Sequence, residues 1–192
     1  LELRNPKARY RVAGTPSGNA RWMEPLSDET QRAESHQRFL KRLDGSRPAL
    51  FKVAEWLHRK GKTVTIPAIR YSPEHREFLK YVDKGDIIIT NDDGSQSIVE
   101  VKHFKQTKFT CAEDFPHPSV IVSNIYTVQR NRGHISAYLI LNKDMTHMII
   151  VKGSKIDEWE IRDIYASNTQ KFEKYYTCHP KDCKFISIEE QK

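Results

Sequence analysis

Asp86, Glu100 and Lys102 are the residues whose types and spacing can do chemistry together. Asp86-Ile87-Ile88-Ile89-Thr90 reads as a buried strand, Asn91-Asp92-Asp93-Gly94-Ser95 as a hairpin turn, and Ser97 to Phe104 as the partner strand. Side chains alternate between the faces of a strand, so Glu100 and Lys102 share one face while Val99 and Val101 take the other. Two residues along a strand span about 6.6 Å. The hairpin returns the second strand beside the first and brings Asp86 next to Glu100. Two carboxylates and one ammonium then converge at the open end of a sheet whose other positions are Ile and Val.

Two ionised carboxylates side by side repel, and a divalent cation resolves that repulsion. Mg²⁺ takes oxygen ligands and typically uses one or two carboxylates plus a substrate phosphate. Mg²⁺ is therefore the expected cofactor, with Mn²⁺ as a substitute, held by Asp86 and Glu100 with the Val101 carbonyl as a further oxygen. Such an ion polarises a scissile phosphate and lowers the pKa of a bound water. Lys102 would orient that water or stabilise charge growing on the phosphorane. The plain alternative is a cross-strand ion pair with no catalysis.

The surrounding composition suits a phosphate-bearing partner. The chain has 192 residues and a formal net charge of +7. Charge is unevenly placed: Arg32–Lys62 holds nine Lys/Arg against three Asp/Glu, Thr63–Glu100 four against seven, and Val101–His134 five against two. An acidic stretch thus lies between two basic ones, as a carboxylate pocket inside a phosphate-holding surface requires. A solvated acidic turn at Asp92-Asp93-Gly94 would give part of the same pattern. Hydrophobic residues at 38 % can build a core at this length, while 8 Gly and 9 Pro exclude collagen and low-complexity classes. No apolar run approaches the roughly 20 residues of a membrane span, and LELRNPKARY has no apolar signal core. Cys111, Cys178 and Cys183 are too few for a disulfide scaffold, so a reducing, cytoplasmic or host-cell interior is expected.

Several elements must position the hairpin. Residues 1–26 read as an irregular basic arm whose Arg9, Arg11 and Arg21 could follow a groove, and 27–192 as one domain. Ser27-Asp28-Glu29 can cap a helix to about Leu43, which Gly45 stops. Arg47-Pro48 opens a second helix ending at Gly61, with Leu50, Val53, Ala54 and Leu57 as its buried stripe. Thr63–Ile69 reads as a strand and Pro73–Val82 as a short helix. Val120–Val122 is either a short strand or the start of a helix through Tyr126 and Gln129. Ala137–Leu141 and Met148–Val151 are strands joined by a hairpin at 142–146. The tail is expected to carry one helix near Thr169–Tyr175 and a last strand at Phe185–Ile188.

At Asp86 and Glu100-Val101-Lys102 the chain resembles the PD-(D/E)XK, or restriction-endonuclease-like, nuclease superfamily. The resemblance covers about residues 47–151, in the order helix, three-stranded meander, helix, strand. It implies an α/β fold: a mixed central β-sheet flanked by helices, with a restriction-endonuclease-like αβββαβ core and an N-terminal helical extension. It also implies a Mg²⁺-dependent phosphodiesterase that cleaves DNA, with an endonuclease as the expectation and a homodimer as one way to cut two strands. Glu55 stands where many members carry another acidic residue; Glu74 and Glu77 compete for that role. Tyr126 and Gln129 lie where some members point a polar residue at the site, and an exposed helix amide is the other reading of Gln129. Gly85, not Pro, precedes Asp86, which departs from the pattern. The rival functions are a non-catalytic DNA-binding or structural domain that keeps this fold, and a different metal-dependent enzyme with a carboxylate hairpin.

Other residues read more simply. Cys178-His179-Pro180-Lys181-Asp182-Cys183 offers two thiols and an imidazole but not the four ligands of structural zinc, so a loop entering the last strand is preferred. Phe115-Pro116-His117-Pro118 is rigid and could line a groove. His103 points away from Glu100 and is expected against a helix.

Overall fold

The computed structural model of the chain describes residues 34, 36–38, 40–41, 44–68, 72, 77, 85–166 and 171–189. The expected basic arm, most of the first helix and the helix over Pro73–Val82, Glu77 apart, lie outside them. Among the described residues the fold is mixed α/β, with few helices and mostly antiparallel pairing.

Helix α1 (Arg47–Arg59) begins with Pro48 in its first turn, where a missing N–H costs nothing. Ala49, Leu50, Val53 and Leu57 are its buried residues, close to the expected stripe. Burying each such Val or Leu is worth about 1.5–3 kcal/mol. Strands β1 (Thr63–Thr65), β2 (Ile87–Thr90) and β3 (Gln96–His103) follow as an antiparallel meander. β1 is shorter than expected because Pro67 cannot extend the ladder. The 91–95 turn is tied by the Ser95 N–H and hydroxyl, which both donate to Asp93 Oδ1 (2.9 and 2.6 Å), and by Gly94 at φ +80°. These bonds hold the Asp93 carboxyl below its ordinary pKa. Asp93 is thus engaged in the turn.

The Val120 segment is both of the things it could have been. Strand β4 (Val120–Asn124) runs into helix α2 (Ile125–Arg130), whose first turn is capped by Asn124 Oδ1 accepting from Tyr126 N–H at 3.0 Å. This segment carries the chain across to β5 (Ile135–Leu141), which pairs parallel to β3 and needs such a crossover. β6 (His147–Lys152) returns antiparallel to β5.

The tail departs from expectation. The residues placed in a helix near Thr169–Tyr175 lie, from Lys171 on, in strand β8 (Lys171–Cys178), paired with an unforeseen strand β7 (Glu160–Ala166). Composition explains it: Phe172, Tyr175, Tyr176 and Thr177 are aromatic or β-branched, and such residues favour a pleated surface. A final strand β9 (Lys184–Ser187) pairs with β6.

The result is a six-stranded sheet of order β1-β2-β3-β5-β6-β9 and a three-stranded sheet of order β4-β8-β7. Each face of the large sheet has its own core. Ala49, Leu50, Val53 and Leu57 of α1 meet Ile87, Val99, Leu139, Leu141 and Met148 on one face. On the other, Tyr138, Ile140, Ile149 and Val151 meet Val120, Val122, Val128, Trp159 and Cys178. The expectation of helices flanking the sheet is therefore corrected on this second face. A small sheet and the six-residue α2 cover it, because the tail forms the strands β7 and β8 rather than a helix.

Candidate active site

The β2–β3 hairpin sets the geometry. Ile87 lies opposite Val99, and continuing that antiparallel register puts Asp86 opposite Glu100. Asp86 N–H donates to Val99 O at 3.0 Å, and Val101 N–H donates to Asp86 Oδ2 at 2.7 Å. The carboxylate is thereby fixed against the backbone of the Glu100-Val101-Lys102 segment. Lys102 Nζ stands 3.9 Å from Glu100 Oε1, with the two side chains 27 % and 19 % exposed. Both are shielded enough for charge interactions to matter and open enough for a ligand to reach.

Gly85 explains the missing proline. Its φ is +136°, which proline, held near −65°, cannot adopt. A Cβ there would run into Ile98 Cγ2. Glycine at this position lets the chain enter β2 with Asp86 facing Glu100.

The faces sort the other candidates. Ile98 packs with the core under the small sheet, and Val99 with the core under α1. Glu100 and Lys102, in alternation with Ile98, face the small-sheet side. α2 belongs to that side: Val128 is buried in the same core, and Tyr126 (77 % exposed) and Gln129 face outward. Glu55 is exposed on α1, the helix that covers the opposite face of β3. Of its competitors, Glu77 is half-buried in a 3-10 turn and Glu74 lies outside the described residues.

Sequence reading missed Tyr138. Parallel pairing places it beside Glu100 in the neighbouring strand. Burial, with a smaller contribution from the Glu100 charge, pushes its phenol up to about 12. The one signal for it is a polar-tipped aromatic within an otherwise aliphatic run, Ala137–Leu141.

His103 is half-buried, with its Nε2 3.1 Å from Lys143 O, because β3 ends beside the 142–146 turn. Phe115 is buried in the core and His117 is exposed against it, ring centroids 5.5 Å apart, and with Pro118 they line an open pocket.

The donor set suits a hard cation. Asp86 and Glu100 offer carboxylate oxygens, and the Val101 carbonyl lies in the same segment. Among the described residues, no group of three or more His, Cys, Asp or Glu could hold a metal ion. The fit thus rests on two carboxylates, with further oxygen from backbone or substrate. No family model, curated protein or solved structure matches the chain.

Proposed function

We propose that the protein is a Mg²⁺-dependent phosphodiesterase that cleaves DNA, acting as an endonuclease. The observation that carries this reading is the convergence of Asp86, Glu100 and Lys102 at the entry of one hairpin, with Asp86 fixed by the Val101 N–H. The order α1, β1–β3, β4, α2, β5, with β4 in the other sheet and β3 parallel to β5, supports a restriction-endonuclease-like core. Asp86 and Glu100 would hold the ion, which supplies charge neutralisation at the phosphate when bound. Lys102 orients the attacking water and stabilises charge on the phosphate oxygens. The water oxygen adds to phosphorus, the bridging P–O bond breaks, and the departing oxygen takes up a proton. Tyr126 and Gln129 on α2 are candidates for phosphate contact, whereas Glu55, on the helix over the opposite face of β3, is not brought to the carboxylate pair. The basic residues of Arg32–Lys62 would hold the backbone of DNA.

The test is incubation with supercoiled, linear and single-stranded DNA, in Mg²⁺ and in EDTA. Metal-dependent nicking of the supercoiled form supports the endonuclease, and resection from ends an exonuclease. The 3.9 Å Glu100–Lys102 ion pair favours a second reading, a non-catalytic DNA-binding domain with a salt-bridged hairpin. Binding without cleavage under every condition would select it.

A further inference from the structure

The sharpest chemistry outside the candidate site lies where the two sheets join. Cys178 is the last residue of β8, opposite Val120 in the small sheet. Cys183 immediately precedes β9, the edge strand of the large sheet. Between them runs a 3-10 turn, Pro180–Asp182, that folds the chain back on itself. Its bonds are local: Asp182 N–H donates to His179 O at 3.0 Å, Cys183 N–H to Pro180 O at 3.1 Å, and Lys181 N–H to His179 Nδ1 at 3.2 Å. Pro180 is buried within the turn. The turn brings Cys178 Sγ and Cys183 Sγ to 3.3 Å, both as free thiols. A disulfide needs about 2.05 Å, so a modest side-chain adjustment separates the pair from a bond.

We propose that Cys178 and Cys183 form a redox-active dithiol, oxidised to an intramolecular disulfide by low-molecular-weight disulfides of the glutathione type. The proposal stands on this geometry and is independent of the nuclease reading. Chemistry and burial assign the order of events. Cys178 is 6 % exposed, whereas Cys183 is half-buried and reachable. The hydrogen bond between the sulfurs lowers the Cys183 thiol and, with burial, raises that of Cys178. Cys183 is therefore the attacking thiolate. Its sulfur bonds to one sulfur of oxidised glutathione, and the first glutathione thiolate leaves. Cys178 then gives its proton to solvent and attacks Cys183 Sγ, and the second glutathione thiolate leaves. One small disulfide is reduced to two thiols as the protein dithiol is oxidised. The new bond staples the end of the small sheet to the entry of β9, whose Phe185 and Ile186 pack into the two cores.

The test equilibrates the folded chain with oxidised glutathione, blocks free thiols by alkylation, and maps them by mass spectrometry. The expected product is lighter by two hydrogens, alkylated only at Cys111, and yields a peptide linking Cys178 to Cys183. In Cys178→Ser, Cys183 should retain a glutathione adduct, because no resolving thiol remains. The oxidised wild type should melt higher, by about 4–8 °C for a loop this short. Three alkylated cysteines, a lasting glutathione adduct on the wild type, or a bond to Cys111 would each overturn the proposal. These readouts need no nuclease activity.

Discussion

The Val101 backbone N–H donates to Asp86 Oδ2 at 2.7 Å across the β2–β3 hairpin. One carboxylate oxygen of Asp86 is thereby tied to the segment that carries Glu100 and Lys102, and the carboxylate is held opposite Glu100. A charge-assisted bond of this kind orients the group before any ligand arrives.

Calorimetric titration should detect Mg²⁺ or Mn²⁺ binding that Asp86→Ala abolishes. Asp86→Asn separates orientation from charge. The amide oxygen can still accept from Val101 N–H, so the fold should persist while cation affinity falls. Unchanged cation binding in both variants would show that this pair holds no metal.

Gly85→Ala probes the entry to the site. A φ of +136° is strained for any residue with a Cβ, and the added methyl meets Ile98. The expected loss is about 1–3 kcal/mol, read as a lower urea midpoint with an unchanged slope. A variant as stable as the wild type would mean that the glycine is not required for this turn.

Tyr138 reports on Glu100. Its phenol, pushed up to about 12 mainly by burial and then by the Glu100 charge, should titrate above the ordinary tyrosine value. The ultraviolet signal lost in Tyr138→Phe should therefore lie at the alkaline end, and Glu100→Gln should move it downward. The sign for stability follows: the native state keeps this proton more tightly than the unfolded chain. The contribution is intact below the ordinary tyrosine value of about 10 and declines as pH rises through about 12. A Tyr138 titration insensitive to Glu100→Gln would separate the two groups.

The hairpin was readable in the sequence because alternation, a glycine turn and two apolar runs all agree over 86–104. The stripe of α1 was readable for the same reason: Pro48 and the spacing of Leu50, Val53 and Leu57 agree. β7 and β8 were not, because Glu160–Ala166 is largely exposed and both strands carry charges on both faces, so no apolar alternation marks them. Tyr138 was hidden differently. Its neighbour Glu100 lies in a parallel strand reached through β4 and α2, and no local spacing encodes such a pairing.

Binding to duplex DNA should weaken steeply with salt, with a log–log slope of about −0.9 per phosphate contacted. Arg59, Lys60 and Lys62 are exposed at and beyond the C-terminal end of α1. Replacing Lys60 and Lys62 by Gln should reduce the slope by about 2 if both touch phosphates. An unaltered slope would place the DNA path elsewhere.

Lys102→Met separates the catalytic reading from the structural one. In the catalytic reading the ammonium acts on charge that develops in the transition state, so its removal should cost on the order of 10²–10³ in cleavage rate. DNA affinity should change little, because the basic surface still holds the backbone. Cation affinity should hold or rise, since an ammonium is not a ligand and its loss removes a positive charge 3.9 Å from Glu100 Oε1. The structural reading expects a different pattern. Breaking a largely shielded ion pair would cost up to about 1 kcal/mol of stability, lower the melting temperature slightly, and leave cleavage unaffected. Melting temperature, cation affinity, DNA affinity and cleavage rate measured together on this one variant distinguish the two. A fully active variant with reduced stability would end the assignment of Lys102 to catalysis.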